Sequence, residues 1–413
     1  MQTLPSLQIG QHIARYPIIQ GGMGIRISGA NLASAVANAG GIGVISAVGL
    51  GINSPYFDIT QPNARLRREE FFAANRLALI DEINKARELS PDGIIGVNVM
   101  VAAKDYETLV RTAAEQGVNL IISGAGLPLQ LPEYTAEYPE VALVPIVSTT
   151  RAAKIICRKW ERQYKRLPDA FVVENPNTAG GHLGAKYEEL DDPALEPEQV
   201  IPELVNYLHH ELGQPIPVIA AGGVWDRADI VRMLELGASG VQIGTRFITT
   251  DECDADLRYK EFHLHAQPED VVVIKSPVGL PGRALRNPFV EKAMSGSAPL
   301  EKGCVLNCLH VCRFRESGES YCIVRALDKA ARGDVENGLV FSGSNAGRAD
   351  RIIPVAELMA ELVQTVGSRR SFPTLNAGKK PRRLPYPSIC KAVTLLNKKE
   401  FATLVQKMVE LID

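Results

Sequence analysis

The stretch "ENPNTAGGHLGA", residues 174–185, contains residue types at a spacing that could do chemistry. Two glycines stand directly before His182, and a third follows two residues after it. Glycine permits positive φ and lets a ligand approach the backbone closely. An imidazole held against a bound molecule can act as a general base. The stretch therefore makes His182 a candidate catalytic residue, with a polar residue in an ordinary flexible turn as the alternative.

Cysteines form the second group with possible chemistry. Four of the seven cysteines, Cys304, Cys308, Cys312 and Cys322, fall close together in the chain. Four thiolates could hold a [4Fe–4S] cluster or a structural zinc ion. On a helix, the spacing of four residues would place three thiols along one face. The alternative is a buried helix face, because cysteine also packs as a small hydrophobic residue.

An iron–sulfur cluster would have a functional consequence. The spacing matches neither the ferredoxin CxxCxxC run nor a pair of CxxC zinc knuckles. If a cluster is present, it suggests that an electron-transfer partner delivers electrons, and hence that the protein is a reductase.

The first 250 residues contain the elements that must position these groups. Short apolar runs rich in β-branched residues alternate there with helix-like segments. The runs cover residues 16–23, 40–48, 94–100, 120–126, 142–148, 170–176, 216–223 and 240–247. Near-continuous apolar runs are typical of strands buried on both faces of a parallel sheet. The pattern predicts an α/β fold, a (β/α)8 TIM barrel, over residues 1–250, with an insertion at 50–92.

A doubly wound open sheet is the competing architecture, but no GxGxxG motif follows the first strand. After residue 250 the alternation stops. Residues 251–366 are predicted to form a smaller, mostly helical region that covers the barrel mouth and carries the cysteines. Residues 367–413 are predicted to form a basic linker, at 367–384, and a terminal helix at 392–411.

Composition restricts the partners and the location. The formal net charge is −2, which gives no reason to expect a nucleic-acid or anionic-membrane partner. No apolar run reaches the roughly 18 residues that a membrane span requires. The first residues lack the basic segment and apolar core of a secretory signal. We therefore expect a cytoplasmic enzyme.

The predicted strand ends are rich in glycine and polar residues. Active sites of (β/α)8 barrels lie at the carboxyl ends of the strands. Gly222-Gly223 and Gly244-Thr245 end the seventh and eighth runs, where barrels commonly bind phosphate through backbone N–H groups. A phosphorylated cofactor is therefore expected in the cavity that His182 faces.

These motifs also carry a family resemblance. The stretches "PIIQGGM", "GGIGVI", "GVN", "AGGHLG", "VIAAGGV" and "VQIGTRF" resemble the nitronate monooxygenase family, formerly called 2-nitropropane dioxygenases, over about residues 10–295. The family includes flavin-dependent enoyl-acyl-carrier-protein reductases of the second type. The resemblance implies an FMN-binding barrel with a helical second domain, and it implies that His182 is the catalytic base. It further implies that FMN is lined by Gly22, Met23, Asn98, Glu174, Gly180, Gly181, Gly222, Gly223, Gly244 and Thr245.

Three functions are compatible with these expectations. The first is oxidation of nitronates or nitroalkanes with O2, in which neutral His182 takes a proton from the carbon next to the nitro group. The second is an NAD(P)H- or ferredoxin-dependent enoyl reductase that acts on a thioester-bound chain at the same flavin site. The third is a flavin- or phosphate-binding protein without turnover.

Overall fold

The computed structural model describes residues 3–296, 303–318 and 321–364. The predicted basic linker and terminal helix lie outside these residues. Within the described ranges, no helix combines the length and apolar character needed to cross a membrane.

Thirteen strands are present in the described residues. In chain order they are β1 (Leu7–Ile9), β2 (His12–Ala14), β3 (Ile18–Gln20), β4 (Gly43–Ser46), β5 (Ile95–Met100), β6 (Leu120–Gly124), β7 (Ala142–Val147), β8 (Phe171–Glu174), β9 (Gly181–His182), β10 (Val218–Ala221), β11 (Gly240–Ile243), β12 (Val271–Lys275) and β13 (Pro281–Leu285).

Helices follow most barrel strands and continue after them. They are α1 (Ala30–Asn38), α2 (Ala64–Leu89), α3 (Tyr106–Glu115), α4 (Leu131–Tyr134), α5 (Thr150–Tyr164), α6 (Pro197–Asn206), α7 (Arg227–Glu235), α8 (Thr245–Ile248), α9 (Leu257–His265), α10 (Pro288–Met294), α11 (Arg313–Ser317), α12 (Ile323–Ala331) and α13 (Val355–Val363). Short 3-10 turns occur at Leu50–Asn53, Tyr187–Glu189, Pro193–Leu195 and Pro268–Asp270, and a π-helical turn at Tyr207–Glu211.

The central sheet is a barrel of eight parallel strands. Its hydrogen-bonded order is β3-β11-β10-β8-β7-β6-β5-β4. The two end strands meet, because Ile19 pairs with Ile42 and the Gln20 N–H donates to the Ile42 carbonyl at 2.9 Å. Each of the eight predicted apolar runs contains one of these strands. The predicted (β/α)8 fold is therefore confirmed.

Two apolar layers hold the barrel together. Side chains such as Ile19, Val144 and Ile219 fill the barrel interior, where Leu7 and Ile9 of the β1–β2 hairpin join them. Alternate side chains on the same strands point outward into the layer beneath the helices. Because both faces of every strand are buried, the strands read as continuous apolar runs in the sequence.

The segment predicted as an insertion contains the crossover between β4 and β5. Its main element is α2, which packs against both α1 and α3. The Asn63 side chain begins the helix by accepting from the N–H groups of Arg65 and Leu66, which satisfies two of the free N–H groups of its first turn. Phe71, Leu79 and Ile83 form its buried face. The charged residues of α2 lie outside that buried face.

The chain after β11 contains a hairpin as well as helices. Strands β12 and β13 pair in antiparallel fashion, and β13 also pairs with β9, bringing Gly282 opposite His182 and Arg283 opposite Gly181. This three-stranded sheet joins the His182 segment to the chain that follows the barrel. Helix α13 then returns to the outside of the barrel and packs on α1 and α7.

Candidate active site

A cavity of about 250 Å³ lies at the carboxyl ends of the barrel strands. All the residues predicted to act on substrate or cofactor line it: Gly22, Met23, Asn98, Glu174, Gly180, Gly181, His182, Gly222, Gly223, Gly244 and Thr245. Residues distant in the sequence complete the wall, including Val278 of the β12–β13 turn and the loop 341–345. The fold thus brings the predicted residues together, while their individual roles stay predictions.

His182 lies in the three-stranded sheet, and its side chain contacts a hydroxyl and an aromatic ring. Its Nε2 lies 2.8 Å from the hydroxyl oxygen of Ser276. Its ring meets that of Phe341 edge to face, with centroids 5.1 Å apart. Gly181, directly before it, has φ of +78°, a conformation that glycine adopts without strain. Burial lowers the pKa of His182 to about 4, so its imidazole is neutral at physiological pH.

Ser276 is a site residue that the sequence analysis did not identify. It is buried in the turn between β12 and β13, and its hydroxyl oxygen also accepts from the Val278 N–H at 3.4 Å. The contact with His182 joins residues 94 positions apart, and no local motif marks it. Because the hydroxyl bonds one ring nitrogen, it fixes the orientation of the imidazole and leaves Nδ1 as the other nitrogen available for chemistry.

Glu174 ends β8 in the same cavity. Its carboxylate forms no hydrogen bond or ion pair with another described residue. Burial raises the pKa of Glu174 to about 7, although the positive charge of Arg283 opposes this shift. The Arg283 guanidinium is itself buried and donates to the carbonyls of Pro176 and Ala179. Arg283 therefore orders the backbone before His182 instead of pairing with the carboxylate.

Glycines let three loops approach one another at one end of the cavity. Gly222 and Gly223 have φ of +90° and +73°, and a Cβ at Gly222 would lie 2.9 Å from a backbone carbonyl oxygen. A Cβ at Gly180 would lie 2.6 Å from the nitrogen of Gly343. The Gly343 N–H donates to the Thr245 hydroxyl oxygen at 2.9 Å. These glycines and the Thr245 hydroxyl form a glycine cradle in the cavity wall, and exposed glycine backbone of this kind suits a phosphate.

Three buried polar atoms in the cavity wall point to a polar ligand. Thr178 Oγ1, Gln242 Oε1 and Ser342 Oγ have no hydrogen-bond partner among the described residues, and all three residues line the cavity. Leaving a buried polar atom unsatisfied costs about 1–3 kcal/mol, which a ligand with several polar groups would recover. Together with the glycine cradle, they fit a cofactor such as FMN. For Ser342, the sequence signal that could have indicated a place in the cavity wall is the Gly/Ser-rich stretch "SGSNAG" at 342–347.

Another part of the wall is apolar. Ile323, Val324 and Leu327 of α12 line it together with Leu309 and Val48. Apolar walls with few polar groups are typical of small-molecule sites. This side can hold the carbon skeleton of a substrate.

The cysteines do not form the predicted iron–sulfur or zinc site in this structure. Residues 303–311 form turns instead of a helix, and α11 begins only after Cys312. Among the described residues, no three His, Cys, Asp or Glu side chains are arranged to hold a metal ion. Cys304, Cys308, Cys312 and Cys322 instead pack within one apolar cluster. Burial raises the pKa of Cys308, and the neighbouring thiols of Cys322, Cys304 and Cys312 raise it further.

Comparisons with known proteins agree with the geometry. A profile of the nitronate monooxygenase family, described as "NMO: Nitronate monooxygenase", matches residues 6–365. A "(3aS,4S,5R,7aS)-5-hydroxy-7a-methyl-1-oxo-octahydro-1H-indene-4-carboxyl-CoA dehydrogenase" of Mycobacterium tuberculosis is 30% identical, over 68% of this chain and 66% of its own. A "Probable nitronate monooxygenase" of Staphylococcus saprophyticus is 26% identical, over 67% of this chain and 78% of its own.

A solved structure is also similar to this chain. FabK from Thermotoga maritima is 26% identical and superposes with a TM-score of 0.61, covering 84% of this chain and 92% of its own.

Proposed function

The chain belongs to the nitronate monooxygenase family and is an oxidoreductase, and we propose that it is an FMN-dependent enzyme that oxidises nitronates or nitroalkanes with O2. The observation that carries the proposal is the cavity itself. It combines a neutral imidazole, a glycine cradle and apolar side chains at the carboxyl ends of the barrel strands. Membership of an enzyme family removes the alternative of a binding protein without turnover.

The residues of the cradle would hold the cofactor. Gly222, Gly223, Gly244 and Thr245 would bind the phosphate of FMN, because they combine free approach to the backbone with a hydroxyl. Other cofactor-lining positions would be Gly22, Met23, Asn98, Gly180 and Gly181. Bound FMN would supply the redox chemistry, accepting electrons from the substrate and passing them to O2.

His182 would act as the base on neutral nitroalkanes. A neutral imidazole has a lone pair for the proton on the carbon next to the nitro group, and the electron pair of that C–H bond stays on the substrate as the nitronate. Ser276 holds the ring by its hydrogen bond to Nε2. The Phe341 ring packs against the imidazole and would shield that side from water, which would keep the abstracted proton within the site.

A second function is supported by the apolar wall of α12. The alternative is an enoyl reductase whose electron donor is NAD(P)H, or ferredoxin as an electron-transfer partner. Such an enzyme would place an acyl chain against Ile323, Val324 and Leu327. The name of the M. tuberculosis relative describes a CoA substrate with a bulky apolar ring system. In both proposals the substrate is a small molecule or a thioester. The location predicted for the protein from the sequence is the cytoplasm.

Steady-state oxygen consumption by the FMN-loaded protein tests the leading proposal. With a nitroalkane as substrate, we expect His182→Gln to lower kcat/KM by about 10²–10⁴-fold, the usual contribution of a general base. The matched control is His265→Gln, which changes an exposed histidine outside the cavity and is expected to leave the rate unchanged. No oxygen consumption by the wild-type protein with any nitroalkane or nitronate would contradict the proposal.

A further inference from the structure

We propose that Glu174 is a second proton-transfer residue of the cavity, whose carboxylate receives the proton that His182 takes from the substrate carbon. The inference rests on the proposed function, because it needs a substrate that loses a proton. Family resemblance gives Glu174 only a place beside the cofactor, whereas the described residues give its carboxylate no hydrogen-bond or ion-pair partner.

The Glu174 carboxylate lies at the end of a barrel strand and has no partner among the described residues. Glu174 is the last residue of β8, pairs in register with Ala221 of β10, and lines the same cavity as His182. An ionised carboxylate accepts several hydrogen bonds, but the described residues give this one none. Glu174 is half-buried, and a charge partly removed from water without hydrogen bonds from the protein is costly. The protonated form is therefore favoured far more than for a carboxyl group in water.

Charged and titratable groups lie around Glu174, but none of those described pairs with its carboxylate. Arg283 of β13 is bonded to the carbonyls of Pro176 and Ala179, and Asp191 offsets part of its charge. His182 of β9 is neutral. The hydroxyl of Tyr259, from α9, donates to the Phe341 carbonyl at 3.3 Å. No described group forms a close ion pair that would hold Glu174 permanently ionised.

These surroundings favour transfer of a proton from His182 to Glu174. The pKa of Glu174 is raised to about 7 and that of His182 is lowered to about 4, in both cases by burial. Environments that push two pKa values apart assign different roles to the two groups. A proton on the His182 imidazole is less stable than one on the Glu174 carboxylate, so transfer from the first to the second is favourable.

The step is balanced in atoms and charge. The substrate C–H bond breaks and its electron pair stays on the nitronate. The proton passes to the imidazole and then to a carboxylate oxygen, leaving His182 and Glu174 both neutral. The carboxylic acid later returns the proton to solvent when the product leaves.

The test compares a nitroalkane with its preformed nitronate, which has already lost the proton. In the FMN-loaded protein we expect Glu174→Gln to lower kcat/KM for the nitroalkane by about 10²-fold or more and to abolish its rise near pH 7. The rate with the nitronate should stay within about threefold, because no proton transfer is needed. The control Glu189→Gln changes an exposed carboxylate on the chain after His182 and should change neither rate. Equal loss with both substrates, or no loss with either, would overturn the proposal.

A second measurement does not depend on activity. Difference infrared spectroscopy of the FMN-free and FMN-loaded proteins between pH 5 and pH 9 should show one carboxylic acid that ionises near neutral pH. Its band should be absent from Glu174→Gln and present in His182→Gln. A carboxylate that is ionised throughout this range overturns the role of Glu174 alone. Failure of the wild-type protein to oxidise either substrate overturns the proposed function instead.

Discussion

Ser276 Oγ and His182 Nε2 are 2.8 Å apart, and this contact links the turn after β12 to the segment that follows the barrel's sixth strand. The same turn places Val278 in the cavity wall. Pairing of β13 with β9 sets the distance between the two residues. The chain after the barrel therefore contributes directly to the orientation of the candidate base.

Loss of that hydroxyl should impair catalysis without impairing cofactor binding. For Ser276→Ala we expect kcat to fall about tenfold, because one hydrogen bond that orients the ring, worth about 0.5–1.5 kcal/mol, is removed. KM and FMN content should change little, and Ser276→Thr should restore kcat. Parallel steady-state and flavin-content measurements check this. An unchanged kcat in Ser276→Ala would show that the contact does not position His182.

The cradle predicts that Thr245 contributes to FMN affinity. Thr245→Val removes the oxygen that accepts from the Gly343 N–H together with the hydroxyl offered to the phosphate. We expect Kd for FMN to rise about tenfold or more, since hydrogen bonds to charged groups contribute about 1.5–3 kcal/mol. Fluorescence titration of the FMN-free protein measures it, and Thr245→Ser should retain affinity.

The control for that titration is Thr150→Val. Its hydroxyl is also buried without a partner in the described part of the chain, but it does not line the cavity. If Thr245→Val and Thr150→Val lose FMN affinity to a similar extent, the phosphate of FMN does not bind at Thr245.

Close packing at Gly180 predicts a second effect on the cofactor. In Gly180→Ala the new Cβ would lie 2.6 Å from the Gly343 nitrogen, so the loop 341–345 must move. We expect weaker FMN binding, measured by flavin retained after gel filtration. Gly117→Asn is the control, because nothing lies within 4 Å of its Cβ position, asparagine tolerates its φ of +68°, and Gly117 lies outside the cavity. Full flavin retention in Gly180→Ala would contradict the close approach.

Burial of Glu174 makes the stability of the FMN-free protein depend on pH. A carboxyl whose pKa is higher in the folded state than in the unfolded state binds its proton more tightly when folded, so stability falls as pH rises through that interval. Here the interval runs from 4.5 to about 7, a shift worth about 3 kcal/mol. Glu174→Gln removes this dependence.

Denaturant unfolding at pH 4.5 and pH 8 measures the effect. The free energy of unfolding of Glu174→Gln minus that of the wild type should be larger at pH 8 than at pH 4.5. A difference that stays constant, or that decreases, would mean that the carboxyl ionises in the folded protein as it does in water.

The sequence predicted the barrel and the strand-end residues of the cavity wall because both depend on local patterns. Buried parallel strands leave continuous apolar runs, and residues such as Gly222 and Thr245 stand directly at their ends. Ser276 reaches His182, and Ser342 reaches the cavity, only through the packing of distant segments, which leaves no periodic signal. The cysteine spacing suggested a helix face, but residues 303–311 fold as turns against the barrel, where the Lys104 N–H donates to the Cys308 carbonyl. Tertiary packing there overrides local spacing.

Anaerobic titration of the FMN-loaded protein tests the central claim most directly. The absorbance of bound flavin is followed while the nitronate of a simple nitroalkane, or NAD(P)H, is added in separate experiments. Stoichiometric reduction by the nitronate, with reoxidation on admission of O2, is the predicted result. Reduction by NAD(P)H but not by the nitronate would contradict it and identify the enoyl reductase instead.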